Sequence, residues 1–591
     1  MPDVISSPLL ATNSADNIWE QAEGWLNKFE RALKQKDRAA LANCFSEDCH
    51  WRDVLALTWS ISPHVGVNRV VDGLLKAQER SDARAFQIAP GRTPPRLMKR
   101  GGADVIEAIF SFETKVGRGY GLLRLLAEQP EKAWVFGTSL DEIKGHEEPI
   151  NNRRPLGNAY SRDSGDNWAA RREKEQAFVD REPVVLIIGA GQSGLSTAAR
   201  LRMLGVEALC VDKHKRVGDN WRERYESLAL HNQVSLNHMA YMPFPPHWPK
   251  YLPKDMIATW LEHYAAVMEC NVWMETEFVS GEYDESSGQW NARVRRADGS
   301  ERVLHPRHIL FANGIVGQPN RPKLPGLEDF KGAVMHSHDF KGGAAWKGKS
   351  ALVLGVGNSG HDIAQDLYAR GADVKLVQRG SITVFSVKAA ALQHSLYYDE
   401  GLPIDDCDLM VQATTYPLAV RNAKLLTQKM LEIDKELLAG LTAKGFKLDI
   451  GEDGTGYIMK VRRIHSGYYL NCGASELIID GKIGLIQYED IDHFVANGAL
   501  MKDGHVEKAD LLVTATGYQN QKIVVEELLG QEVAEKIGSI WGLDEEGELN
   551  NMYKPTAQQG LWFIGSGLSQ ARVWSKVIAL QIKARELGLV S

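Results

Sequence analysis

At 591 residues the chain is too long for one hydrophobic core, and its length suggests about three or four domains of ordinary size. Its 69 Lys and Arg against 76 Asp and Glu give a formal net charge of -7, so no basic surplus points to nucleic acid. Six cysteines without a C-x-x-C pair fit the reducing cytoplasm better than a disulfide framework, and the absence of a signal pattern, of a long apolar run and of any residue beyond the helical end at Ser591 predicts neither membrane span nor anchor.

The front unit spans 1–145. "NIWEQAEGWLNKFERALKQKDRAALANCFSEDCHWRD" predicts an amphipathic helix, a second short helix and a strand opening at Trp51; "DVIEAIFSFET", "GRGYGLLRLLAE" and "KAWVFGTSLDEI" follow as strands. The polar Asp48, His50, Arg52 and Asp53 read as a solvated strand edge beside a presumed pocket. From 146 to 180 the sequence is polar and turn-rich, then charged and helical, as in a linker that ends in a helix.

Two stretches then echo each other. "VVLIIGAGQSGLSTAA" and "SALVLGVGNSGHDIAQDL" each run from an apolar strand through G-x-G-x-x-G into a helix, with glycines 189, 191 and 194 in the first and 355, 357 and 360 in the second. In that setting Gly189 and Gly355 permit a tight turn, Gly191 and Gly357 let backbone approach a pyrophosphate, and Gly194 and Gly360 let helix pack on strand. The strand after the first loop ends at Asp212, whose carboxylate suits an unphosphorylated ribose, so the first loop is assigned FAD. The strand after the second ends at Arg379, which could grip a 2′-phosphate, so the second is assigned NADPH; the plain alternative is a solvated strand-end arginine. A chain that holds both is most simply a flavoprotein reduced by nicotinamide. Between the loops, "WNARVRRADGSERVLHPRHILFANG" predicts a hairpin turning at Asp298 and Gly299 before a returning strand. The FAD-binding domain is therefore expected at 181–329 plus 511–591, interrupted by an NADP-binding domain with a helical insertion at 330–510.

Between the loops also lies "FKGAVMHSHDF" (330 to 340), an aromatic, a glycine, a histidine and a second aromatic. It resembles the F-x-G-x-x-x-H-x-x-x-aromatic fingerprint of class B flavin monooxygenases. "VTATGY" (513 to 518) is similar to that family's A-T-G-Y linker, and "GDNWRERYESLALHNQ" (218 to 233) to its G-G-x-W flavin-edge segment, with Asp219 at the second glycine. The likeness covers about residues 180 to 591 and is nearest the flavin-containing and plant indole-pyruvate branch. It implies that Gly332 allows a backbone turn, that His336 pins the linker while the domains shift, and that Trp221 and Thr516 lie at the cofactors. Asn232, with Asn237 and His238 as competitors, would face the flavin edge. "GLWFIGSGLSQARVWSKVIALQ" (560 to 581) resembles the final strand, turn and helix, with Gly565 and Gln570 near the flavin.

The resemblance further implies an NAD(P)H- and O2-dependent monooxygenase acting on a small molecule through a C4a-(hydro)peroxyflavin. "RRIHSGYY" (462 to 469) is loosely similar to a Baeyer-Villiger segment, which makes Arg462 and Arg463 candidate cations for a nucleophilic peroxide; a surface pair is the plain alternative. The front unit resembles the cone-shaped SnoaL-like fold, and the combination looks like type II flavin-containing monooxygenases, associated with ketone oxidation and with NADH as an alternative donor. The expectation is an α/β protein of two dinucleotide-binding, Rossmann-like domains behind an α+β SnoaL-like domain. It leans to ketone oxidation, with N- or S-oxygenation and NADPH oxidation without oxygenation as alternatives; no metal is expected, and a homodimer is allowed. A disulfide reductase is disfavoured by the missing dithiol.

Overall fold

The computed structural model describes residues 15–157, 165–315 and 318–590. Helix Ala15–Gln35 buries Trp25, Leu26, Phe29 and Leu33 along one face. That face packs on a sheet ordered Ile61–Val65, Phe45–Val54, Gln129–Ile143, Gly117–Leu126, Ala103–Glu113, Arg84–Ile88, with Arg96–Arg100 also paired to Ala103–Glu113. Strand alternation sends Ile106, Ala108, Phe110 and Phe112 inward, where stacked pairs such as Phe86 on Phe112 and Phe110 on Phe136 fill the interior. The α+β order expected of the front unit is what the structure shows.

The outer face of this sheet is covered too. Leu409, Met410, Ala413 and Leu418, from helices Ile404–Gln412 and Tyr416–Ile433, pack on Val105, Ile109, Leu122 and Trp134. This overturns the solvated edge: Phe45–Val54 is an interior strand, and of the four polar residues only Asp48 is exposed. Arg52 donates to both carboxylate oxygens of Glu548 at 2.7 Å and to the Gln412 carbonyl at 2.5 Å. His50 Nδ1 lies 2.8 Å from Thr415 Oγ1. Asp53 accepts from the Thr58 and Thr138 hydroxyls at 2.7 and 2.6 Å, and burial pushes its pKa up. A late insertion and a C-terminal segment thus claim the face that sequence reading left to water.

The same face carries a buried ionic cluster. Glu107 accepts from Arg96, Arg100 and Arg124 at 2.6 to 2.9 Å, and Arg96 and Arg100 also hold Glu400 of the insertion at 2.6 to 2.9 Å. Burial works against an ionised Glu107, but the three guanidinium groups outweigh it and keep its carboxyl well below the usual range.

Beyond the polar stretch, which ends in helix Trp168–Ala177, come two parallel sheets. The first is ordered Val272–Trp273, Ala208–Val211, Val185–Ile188, His308–Phe311, Leu561–Phe563. The hairpin expected at Asp298 and Gly299 joins Gln289–Arg296 to Glu301–Leu304. The second sheet is ordered Ala333–His336, Leu511–Thr514, Ser350–Leu354, Asp373–Gln378, Gly484–Gln487. Strand Leu511–Thr514 therefore lies inside the second sheet, hydrogen-bonded on both sides, and not in the first domain where the expected boundary put it. Its apolar run carries no mark of which parallel sheet it joins; pairing with Ala333–His336 and Ser350–Leu354 decides that. Among the described residues no helix is long and apolar enough to cross a membrane.

Replacing Glu107 by Gln should destabilise the front domain by about 3–5 kcal/mol, because buried Arg124 and half-buried Arg96 and Arg100 lose their shared anion. A urea titration followed by tryptophan fluorescence checks this; an unchanged midpoint would show that the cluster contributes nothing net.

Candidate functional site

Both glycine loops stand where an open parallel sheet presents its carboxyl ends. Each caps a helix with its middle glycine: Gly191 for Gln192–Met203 and Gly357 for Asn358–Ala369. The three glycines of each loop have different physical reasons. Gly189 and Gly355 take φ of +107° and +118°, and a Cβ on either would press on the facing Ala312 or Ala515 carbonyl. Gly194 and Gly360 face the carbonyls of Gly189 and Gly355. The middle glycines are ordinary in conformation: a Cβ at 191 would meet only Asn220, at 3.0 Å, and one at 357 nothing closer than 3.9 Å. Open space before an N-terminal helix end is a cradle fitted to a pyrophosphate.

The strand-end residues of the two loops differ in charge and in partners. Asp212 Oδ2 accepts from Ala190 N at 2.9 Å, inside the first loop, and Oδ1 from His214 Nδ1 at 2.6 Å. Burial would raise this carboxyl, yet the bonds from His214 and the loop amides pull it down, so the group is an oriented anion. Arg379 follows strand Asp373–Gln378, is exposed, and makes no hydrogen bond or ion pair among the described residues.

Gln192, the residue after Gly191, ties three distant pieces together. Its Oε1 accepts from Trp221 Nε1 at 3.2 Å and its Nε2 donates to the Ser566 carbonyl at 3.1 Å. The sequence motif leaves this position free, so nothing marked it. Asp219 at the second glycine position of the G-G-x-W-like segment keeps negative φ and accepts from Arg216 N and Arg222, so the backbone there does not need glycine. Ser566 is held at φ +87°, a strained value for a non-glycine, at the turn that starts helix Leu568–Glu586. Gly565 accepts from the Tyr553 hydroxyl at 2.9 Å, and Gln570 sits in the first turn of that helix, its Oε1 accepting from Ser569 at 3.0 Å.

The passage between the two sheets is a crossing of two strands. Pro319 bridges Tyr518, Asn320 N and Gln519 N bond across it, and Thr516 Oγ1 donates to Asn320 O at 2.6 Å. Thr516 thus spends its hydroxyl on the crossing. His336, fully buried, donates from Nε2 to the Gly517 carbonyl at 3.1 Å while Nδ1 accepts from His338 N at 3.1 Å. Burial lowers its pKa, so the ring is a neutral clamp with one fixed tautomer. Gly332 sits at a bend ahead of strand Ala333–His336, without positive φ; it is glycine because the Phe330 ring and, at 2.7 Å, the Asp510 carbonyl occupy the place of a Cβ. Phe330 and Phe340 are buried in the second domain.

In the 232–238 segment, Asn237 gives its amide to the carbonyls of Asn232 and Gln233, and His238 Nδ1 accepts from Phe244 N, so both competitors are spent on the fold. The Asn232 side chain is left without such a bond among the described residues. The segment is held by Arg572, which sequence reading missed: buried on the last helix, it reaches the carbonyls of Leu236 and His238 and pairs with both oxygens of Asp408 at 2.7 and 2.8 Å. Its only signal was a charge inside an otherwise buried helical pattern. Arg462 and Arg463 end helix Gly456–Ile464 of the insertion, not on a loop. Arg463 is engaged by Asp453 at 2.7 Å and Tyr416 at 2.8 Å. Arg462 is half-buried with no hydrogen bond or ion pair among the described residues; burial and then the nearby Arg52 lower its pKa. Neither bonds to the glycine loops or to Asn232. No cluster of three or more metal-ligating residues occurs among the described residues.

A family model described as flavin-binding monooxygenase-like matches residues 183–541 and leaves the front domain uncovered. The indole-3-pyruvate monooxygenase YUCCA1 of Oryza sativa subsp. japonica is 29% identical over 359 residues, covering 60% of this chain and 80% of its own. The probable indole-3-pyruvate monooxygenase YUCCA4 of Arabidopsis thaliana is 30% identical over 350 residues, 59% of this chain and 78% of its own. Among solved structures, OTEMO in complex with FAD and NADP shares the fold with a TM-score of 0.50 at 14% identity, over 69% of this chain and 87% of that one. The chain belongs to the flavin-binding monooxygenase-like family and is a flavin-dependent monooxygenase.

Proposed function

We propose that this enzyme inserts one oxygen atom next to a carbonyl carbon of a small organic substrate, with FAD on the first glycine loop and NADPH on the second. When bound, FAD reduced by NADPH would activate dioxygen, one atom of which goes to the substrate and the other to water. The chain's own residues supply the rest. Gly191 and the helix it caps receive the FAD pyrophosphate, and Asp212, already ionised and oriented, accepts from the ribose. Gly357 and its helix receive the second pyrophosphate, and Arg379, free of other partners, holds the 2′-phosphate. Asn232 offers an unspent amide at the flavin edge.

The observation that carries the carbonyl reading is Arg462. A half-buried guanidinium with no hydrogen bond or ion pair among the described residues, on an insertion riveted to the last helix through Asp408 and Arg572, is suited to hold a substrate carbonyl or carboxylate oxygen. Arg463 is already neutralised by Asp453 and is not the operative cation. Relatives named for indole-3-pyruvate, a 2-oxo acid, also support a carbonyl substrate. We further read the front domain as SnoaL-like, with its interior filled by aromatic rings and its outer face docked, hence a brace for the insertion and not a second pocket. Six free thiols fit a reducing compartment such as the cytoplasm.

Neither Gly191→Ala nor Gly357→Ala strains the backbone, so both variants should fold; the first should lose FAD, and the second should keep it and be reduced slowly by NADPH. Flavin absorbance per chain and anaerobic reduction traces distinguish them, and identical behaviour would refute the assignment. Arg379→Ala should raise the KM for NADPH on the order of tenfold or more while leaving NADH little changed. Arg462→Met should retain FAD and NADPH reduction but lower oxygenated product from ketones or 2-oxo acids by about 10²-fold, with oxygen uptake appearing as hydrogen peroxide. Product mass analysis on ketone, 2-oxo acid, sulfide and amine panels decides the class: wild type that oxygenates only sulfides and amines ends the carbonyl reading.

A further inference from the structure

Residues 224 to 231 belong by chain order to the first domain, yet they are built into the second. Tyr225 is 2% exposed and lies in the second domain's apolar core with Val356 and Ile363. Its hydroxyl donates to Asp362 Oδ2 at 2.7 Å, and the same oxygen is 3.6 Å from His231 Nε2. Glu226 N donates to the Lys341 carbonyl at 2.9 Å, just past the histidine fingerprint. Arg224 reaches the Tyr518 hydroxyl at 3.4 Å, and the Tyr518 ring meets His336 edge-on with centroids 5.4 Å apart.

Asp362 stands one turn into helix Asn358–Ala369, whose N-cap is Gly357 of the second loop. Three residues before Arg224, Trp221 bonds to Gln192 of the first loop. A continuous path therefore runs from the first loop through Gln192, Trp221 and Tyr225 to Asp362 and the second loop. It links the two cradles without passing through the crossing strands.

We propose that Asp362 is a positioning residue for hydride transfer: by gripping Tyr225 and His231 it sets how closely, and at what angle, the second loop presents a nicotinamide to the flavin held by the first. This rests on the assignment of FAD and NADPH to the two loops. The grip is an ionic one. Burial alone would lower the His231 pKa, but Asp362 and Cys472 beside it raise it to about 10, so the ring is a cation facing the Asp362 carboxylate across the neutral range. The Tyr225 hydroxyl adds a charge-assisted bond to the same oxygen, which fixes the Asp362 rotamer. A latch of this kind suits a step that needs reacting atoms within about 3–3.5 Å, where a misplacement near 1 Å can cost on the order of 10²-fold in rate.

The test uses the FAD-loaded full chain with Asp362→Ala, Asp362→Asn and Tyr225→Phe. Three quantities are read: the limiting rate of flavin reduction at saturating NADPH, NADP+ affinity from its perturbation of the oxidised flavin spectrum, and hydrogen exchange of amides 224 to 231. The expected result is full FAD content, NADP+ affinity within about threefold of wild type, and a limiting reduction rate down on the order of 10²-fold for Asp362→Ala. Asp362→Asn and Tyr225→Phe, which each keep one of the two contacts, should fall between, and exchange of 224 to 231 should rise in the same order. A limiting rate within twofold of wild type in Asp362→Ala overturns the proposal, as does a loss of NADP+ affinity with the limiting rate intact, which would make Asp362 a binding residue. If Asp362→Ala does not fold, the two milder variants decide by the same criteria. Failure of the loop assignment is separately visible, because Gly357→Ala would then reduce normally while the exchange of 224 to 231 still responded to Asp362.

Discussion

The Gly517 carbonyl has two lone-pair directions, and the structure uses both: one receives Asn320 N from the outgoing linker and the other His336 Nε2 from the first strand of the second sheet. Because the His336 ring is sealed from water, each of its nitrogens must be satisfied internally, and leaving one bare would cost about 1–3 kcal/mol. Both linkers are thereby forced to cross at one point. That crossing joins the two domains that carry the glycine loops. The remaining contacts between the domains elaborate on that arrangement: the 224–231 segment on one side, the helical insertion on the other.

What the sequence displayed was the local chemistry of backbone. The two loops, the Asp298 turn and the strand-end Asp212 and Arg379 stand where spacing put them, since a turn or a helix start is dictated by a few adjacent residues. The histidine fingerprint lies at the crossing, but the reason for Gly332 was not visible, because the atoms that exclude its Cβ belong to Phe330 and to Asp510, far along the chain. Position 511–514 failed in the same way: an apolar strand advertises burial and not its partners.

Charged residues were the least legible. His50 and Arg52 looked like solvent-facing residues because their partners, Thr415, Gln412 and Glu548, lie hundreds of positions later, and Asp53 because one of its partners, Thr138, lies 85 positions on. Arg572 and Asp408 were invisible for the same reason, although together they hold the insertion over the 232–238 segment. The pair Arg462 and Arg463 could not be resolved into a free and a bound member until Asp453 and Tyr416 were seen beside the second.

The docked front sheet has a consequence for how the chain is made. Arg52 and Glu548 are 496 positions apart, so at about 5–20 residues per second the ribosome delivers the acceptor about 25 to 100 s after the donor. The apolar part of the outer face waits a shorter time, until Leu409, Met410 and Leu418 emerge; before then Val105, Leu122 and Trp134 stand bare beside three arginines that share the single carboxylate of Glu107. Glu400 arrives with that cover and takes up Arg96 and Arg100, whereas Glu548 arrives last and takes up Arg52. Translation speed and final assembly are in this way linked through a handful of side chains that the mature enzyme hides.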